Sequence, residues 1–157
     1  MAFYQLIKTQ KLPVGISEIW DFISSPANLK EITPKHMGFI VTSNSGEDKM
    51  YPGMIITYKV SPFLGIKLNW VTEITHVKDF EYFVDEQRIG PYTMWHHQHK
   101  IEAIEDGVLM TDIVTYQPPM GLLGALANSL LIRNQLQQIF DYRTVALEQR
   151  FGKFNTQ

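Results

Sequence analysis

The sequence predicts an α+β fold, in which a curved antiparallel sheet of about seven strands wraps around one long C-terminal helix. Three observations predict it. One strand-like run and two short helical runs are followed by about six strand-like runs joined by short turns, the pattern of an antiparallel sheet. From about residue 121 to 150 the apolar spacing becomes helical and no proline interrupts it. The 157 residues are enough for one domain that buries roughly 70% of its unfolded surface, so neither a disulfide nor a metal is needed to hold a core. One domain over 1–157 is expected.

The elements follow in order. Residues 3–11 mix aromatic and β-branched residues and read as a strand, broken by Leu12-Pro13-Val14-Gly15. Ser17 is placed to cap a short helix through Trp20 and Phe22. Ser25-Pro26, a cap followed by proline at the first helical position, opens a second one over about 26–32. Strands are expected at 38–44, 54–60, 66–77, 80–88, 92–104 and 108–117, with Ser61 to Gly65 as a loop. Asp106-Gly107 signals a type I′ hairpin turn. Leu122, Leu126, Leu130, Leu136, Ile139, Phe140 and Leu147 then recur at helical steps with one gap, a helix of about 28 residues with Gly152 just past its end. Only this helix is long enough to cover the concave face of the sheet, and its grip leaves a cavity unless large side chains fill it.

Composition narrows the function. The formal net charge is −2 and lysine and arginine are scattered, against a nucleic-acid surface, which needs clustered positive charge. The absence of cysteine excludes thiolate chemistry and thiolate metal sites. There is no glycine-rich phosphate loop. The N-terminal residues lack a signal-peptide core, and no apolar run approaches the roughly 18 residues of a membrane helix, so a cytoplasmic protein is expected.

Several stretches carry a resemblance: "LPVGISEIWDFISSPANLKEITP" (12–34), "FVDEQRIGPYTMWHHQH" (83–99), "TDIVTYQPPMGLLG" (111–124) and "IFDYR" (139–143). In this order and spacing the chain resembles the START/polyketide-cyclase-like (SRPBCC) superfamily of helix-grip proteins, which includes the birch-pollen allergen. It is similar in particular to the bacterial ligand-binding, cyclase/dehydrase-like branch, over essentially its whole length. The resemblance implies a helix-grip fold with an internal cavity, and a tryptophan at the position of Trp70 on the cavity wall.

The run "GPYTMWHHQHKIE" (90–102) raises the functional question. Alternate strand residues share a face. Thr93, Trp95, His97, His99 and Ile101 lie on the more apolar face, so His97 and His99 should point inward and His96 outward. A two-residue Asp106-Gly107 turn would set His97 opposite Tyr116, His99 opposite Val114 and Ile101 opposite Asp112. Asp112 then becomes a diagonal neighbour of His99, whereas a bulged three-residue turn would turn Asp112 and Tyr116 away. Four uses of this cluster are open: a self-satisfied buried polar group; a polar anchor in an apolar ligand pocket; a His–Asp acid–base pair; and a metal site with Asp112 as third ligand. No dedicated metal motif is present, and no metal or other cofactor is expected.

The leading expectation is a binding module for a hydrophobic or amphipathic small molecule: a lipid, an isoprenoid or a polyketide-like aromatic. Trp70, Phe83, Trp95 and Val114 would form apolar wall, and His97, His99, Asp112 and Tyr116 would orient a polar group. The alternative is a cyclase/dehydratase-type enzyme with His97 or His99 as base, Asp112 as orienter and Tyr116 as donor to an oxyanion. Phe39 reads as core. Asp85 and Gln87 face either cavity or water, and Glu73, Asp85 and Asp112 form no assignable pair. Arg133 and Arg143 flank the apolar stripe, at a solvated helix edge or reaching an anionic head group, and Arg143 could instead tie the helix to the sheet edge through a carboxylate. Phe63, Leu64, Met120, Leu122 and Leu123 sit in two apolar loops that could rim the cavity mouth, touch a membrane transiently or form a homodimer contact.

Overall fold

A computed structural model of the chain describes residues 3–43, 46–63, 66–121, 123, 126 and 128–155. Seven strands, β1 (Tyr4–Leu12), β2 (Ile40–Ser43), β3 (Ile55–Phe63), β4 (Ile66–Lys78), β5 (Tyr82–Ile89), β6 (Met94–Ile104) and β7 (Gly107–Gln117), form one sheet. Its order is β1-β7-β6-β5-β4-β3-β2, with every neighbouring pair antiparallel. Helix α1 (Ile16–Ile23) and two 3-10 turns (Pro26–Ile32 and Lys35–Met37) link β1 to β2, and α2 (Arg133–Phe151) packs on the sheet after β7. This is the α+β helix-grip architecture expected.

Alternation produces the sheet's two faces. Along β7 every second residue is buried: Val108, Met110, Asp112, Val114 and Tyr116. Irregular pairing of β4 with β5, between Val71 and Thr72 and again between Ile74 and His76, adds the local bend that curls the sheet.

Several local expectations are corrected. Helix α1 begins after Gly15, which is extended and whose carbonyl accepts from the Ile19 N–H at 3.1 Å, so Ser17 is not its cap. Ser25 does precede Pro26, but the segment is 3-10 rather than α and Ser25 makes no side-chain cap. Ser61 to Phe63 belong to β3, with Phe63 paired to Ile66, while Leu64 and Gly65 lie outside the described residues.

The β6–β7 turn is displaced by one residue. Ile104 pairs with Gly107, so Glu105 and Asp106 form the turn, with a positive φ of 62° at Asp106. Gly107 is a strand residue. A Cβ there would overlap the Leu12 carbonyl oxygen of β1, so its lack of a side chain serves strand packing rather than a turn. Every cross-strand partner therefore shifts by two positions, which keeps each residue on its face. Trp95 pairs with Tyr116, His97 with Val114, His99 with Asp112 and Ile101 with Met110.

The predicted C-terminal helix is modified at its start. Residues Asn128–Ile132 form a turn of π-helix, and α2 runs from Arg133 to Phe151. The extra residue of a π turn changes the helical phase. Leu126 and Leu130, expected in the buried stripe, are exposed, while Leu136, Phe140, Arg143 and Leu147 are buried. Gly152 ends the helix at φ 93°, its N–H donating to the Glu148 carbonyl at 2.9 Å. Lys8 pairs with Asp141 at 2.9 Å and Gln10 Nε2 donates to the Thr144 carbonyl at 2.9 Å, fastening α2 to β1.

Candidate functional site: an Asp–His–His–Asp–Arg cluster at a cavity wall

The buried residues of α2 follow a helical step of three or four, and one of them is charged. Leu136 and Phe140 pack in an apolar cluster with Tyr92, Val114 and Tyr116. Leu147 packs in a second cluster with Leu12, Phe22 and Val108. Between them Arg143 is only 8% exposed, which corrects the solvated-edge reading; Arg133 is exposed.

The sheet presents its polar answer at this level. Asp85 on β5 pairs with His97 on β6, and His99 on β6 pairs with Asp112 on β7. His97 Nε2 lies 2.9 Å from Asp112 Oδ1 and its Nδ1 lies 3.4 Å from Asp85 Oδ2. His99 is arranged likewise, with Nε2 2.6 Å from Asp85 Oδ2 and Nδ1 3.2 Å from Asp112 Oδ1. Arg143 approaches from α2, with Nη1 3.5 Å from Asp112 Oδ1 and Nη2 3.3 Å from His99 Nδ1. Neutral His99 accepts from Arg143 at Nδ1, whereas protonated His99 donates there to Asp112. His99 stacks on Phe83 at 4.0 Å and His97 meets the edge of Phe140 at 5.5 Å, so both rings are clamped by aromatic neighbours.

Two carboxylates, one guanidinium and one imidazolium make the cluster neutral. Burial disfavours charge on both imidazoles. At His97 burial prevails, reinforced by the neighbouring His99, and its pKa falls below the ordinary value. At His99 burial is outweighed by hydrogen bonds to Asp112 and Asp85, and its pKa rises. Burial would likewise raise Asp112, but Arg143 and the two histidines outweigh it and hold the carboxyl well below the usual range. Asp85 is also lowered, since His97 and His99 overcome its burial.

These directions fix the sign of a pH dependence. The Asp85 and Asp112 contributions are present above the unfolded value of 3.8 and are lost as pH falls through the lowered folded values. The His99 contribution is present below 6.5 and is lost as pH rises through its raised folded value. His97 works oppositely, losing stability as pH falls below 6.5. Urea midpoints from pH 3 to 9 are expected to drop steeply in acid. His97→Gln should remove the loss just below pH 6.5 and leave the decline on the alkaline side.

Beside this cluster is a cavity of about 170 Å³. Its wall is mainly apolar and includes Ile56, Val60 and Ile74 from the sheet, Leu29 and Ile32 from the first 3-10 turn, and Ile139 from α2. Trp70, Phe83, Trp95, His97 and His99 reach it, as expected, and so do Phe39, Asp85 and Arg143. Asp112, Val114 and Tyr116, expected on the wall, are not among its lining residues. Asp112 sits behind the histidines, while Val114 and Tyr116 pack in the apolar cluster with Leu136 and Phe140. Gln87 grips the backbone of Tyr92, donating to its carbonyl at 2.7 Å and accepting from its N–H at 3.2 Å. Glu73 pairs with Arg88 at 2.5 Å, away from the cluster. Met120 is 73% exposed and Leu123 64% exposed, and neither lines the cavity. Leu64 and Leu122 lie outside the described residues, as does the side chain of Phe63.

Asp85 and Arg143 are the members of the cluster that sequence reasoning did not assign. The spacing of β5 left the facing of Asp85 open, and the stripe of α2 marked Arg143 only by position.

No protein-family model matches the chain. No curated protein matches it. Solved structures do. The KanY protein superposes with a TM-score of 0.72 at 12% identity, over 96% of this chain and 99% of that one. TTHA0849 from Thermus thermophilus gives 0.69 at 13% identity, over 94% and 97%. Ginseng major latex-like protein 151 from Panax ginseng gives 0.67 at 10% identity, over 95% and 97%. The chain shares with them the helix-grip fold, and at these identities the likeness is one of fold alone. Among the described residues, no helix is long and apolar enough to cross a membrane.

Proposed function

We propose that the protein binds a compact hydrophobic or amphipathic small molecule, its apolar body in the cavity and its polar group toward Asp85, His97 and His99. The carrying observation is an apolar cavity whose wall includes Asp85 and two buried, hydrogen-bonded histidines. Binding sites of this chemistry combine apolar walls with a few placed polar groups. Volume narrows the ligand. A dry cavity of about 150 Å³ accommodates benzene, so about 170 Å³ suits one small ring system. A polyketide-like aromatic fits this size better than a long acyl chain, which would need side chains to move aside.

Trp70 and Trp95 contact each other at 5.3 Å on the cavity wall and report on occupancy. Titration with 1-naphthol is expected to quench their fluorescence saturably, and Ile139→Trp, which adds bulk at the wall, to weaken binding at least tenfold. Native mass spectrometry of the purified protein should show an apolar adduct. Absence of saturable binding by naphthol and of any adduct would overturn the reading.

A second reading has its own observation. His97 is held with Nε2 on Asp112 and with Nδ1 3.4 Å from Asp85, and both His97 and Asp85 line the cavity. In this reading, neutral His97 removes a proton from a carbon beside a carbonyl, and Asp112 fixes its tautomer. His97→Gln would then abolish turnover and leave naphthol binding within twofold. A cytoplasmic location belongs to this proposal, as does contact of exposed Met120 and Leu123 with a membrane or a second copy.

A further inference from the structure

We propose that Asp85, His97 and His99 form a binding site for one divalent transition-metal ion, with Asp112 as the carboxylate that orients both imidazoles. The site goes beyond small-molecule binding and does not depend on it.

The four imidazole nitrogens divide between the two carboxylates. His97 Nδ1 and His99 Nε2 both face Asp85 Oδ2, at 3.4 and 2.6 Å, and one ligand atom from each of the three residues lies within 4.8 Å of the other two. The remaining nitrogens, His97 Nε2 and His99 Nδ1, both face Asp112 Oδ1, at 2.9 and 3.2 Å. With an ion at the shared point, each ring would carry its proton on the other nitrogen and donate it to Asp112, His99 giving up its hydrogen bond from Arg143 at Nδ1. Metal-bound histidines use such a second carboxylate to fix the ring and raise its basicity.

The distances are close to what coordination needs. Ligand atoms about 2.1 Å from a tetrahedral ion stand about 3.4 Å apart. His97 Nδ1 and Asp85 Oδ2 are at 3.4 Å. His99 Nε2 and Asp85 Oδ2 are at 2.6 Å, the separation of a proton-bridged pair, and must open by just under an ångström. The two rings, at 36° to each other, must also fan apart. His99 is stacked on Phe83 at 4.0 Å, whereas His97 makes an edge contact with Phe140 at 5.5 Å, so most of the movement falls to His97.

Charge and access agree. Two carboxylates and one guanidinium leave a single negative charge, which one imidazolium proton balances in the metal-free cluster and which an incoming cation would balance in its place. A dication would overshoot by one and favour an anionic oxygen, such as hydroxide, as a further ligand. Asp85, His97 and His99 line the cavity and Asp112 does not, so the free position opens toward the cavity. Two histidines and a carboxylate with open positions suit zinc, cobalt or ferrous iron.

The test uses the full chain, stripped with chelator and dialysed. Titration with cobalt(II) should give visible absorption saturating at one equivalent, and zinc should displace it. Asp85→Asn and His97→Ala should each reduce affinity at least a hundredfold, and Asp112→Asn by 10- to 100-fold. The double variant His36→Ala/His76→Ala, at exposed positions, should bind as the parent does. Should a site variant fold poorly, imidazole 15N spectra of the unmodified chain decide the matter. Zinc should shift His97 Nδ1 and His99 Nε2 and leave His36, His76 and His96 unmoved. Failure of the unmodified chain to bind either metal, binding unaltered by the site variants, or shifts confined to the other histidines would overturn the proposal.

Discussion

Arg143→Met is expected to lower unfolding free energy at pH 7 by about 3–5 kcal/mol, measured by urea denaturation. The methionine fills similar volume on the buried stripe of α2, so packing changes little. What is lost is the cation 3.5 Å from Asp112. Asp112 is itself buried, and an unpaired buried carboxylate is far more costly than a paired one. The variant should recover part of its stability when Asp112→Asn is added, since the amide carries no charge. A loss below 1 kcal/mol would mean that Asp112 reaches water or a proton in the folded protein.

Phe140→Ala is expected to cost about 3–5 kcal/mol as well, for an apolar reason. Phe140 is buried among Leu136, Val114 and Tyr116 and packs in a T-shaped contact with His97. It lines both the main cavity and a smaller space bounded by Lys8, Gln10 and Asp112. Removing its ring should join the two. Ligand size is then the second readout: two-ring and three-ring aromatics should gain affinity relative to one-ring compounds, whatever happens to melting temperature. An unchanged size preference would show that the ring does not limit the cavity.

The fold was legible because its signals are periodic. Strict alternation along 108–117 and the helical stripe over 136–147 name their own buried faces. His97 and His99 could be placed inward on the same ground. What was not legible came from contacts distant in sequence. Asp106-Gly107 carries a turn signal, but its glycine is needed against Leu12, nearly a hundred residues earlier, and the turn moves back by one. Parity rescued the facing of Asp112, which moved from diagonal to directly opposite His99. It did not place Asp112, Val114 or Tyr116 on the cavity wall, because facing inward is not the same as reaching empty space when α2 lies on that part of the sheet. Asp85 was ambiguous because β4 and β5 pair irregularly. The exposure of Leu126 and Leu130 follows from a π turn, which hydrophobic spacing betrays only as a gap.

The single charge on the buried stripe of α2 has a consequence for how the chain finds its final arrangement. Hydrocarbon surfaces slide over one another at little cost, and a helix held only by leucines could come to rest in several positions along the sheet. With Arg143 there, a displacement by one helical turn, about 5.4 Å, would carry the guanidinium into an apolar cluster and away from Asp112. The arginine acts as a dowel: it tells the helix where to stop.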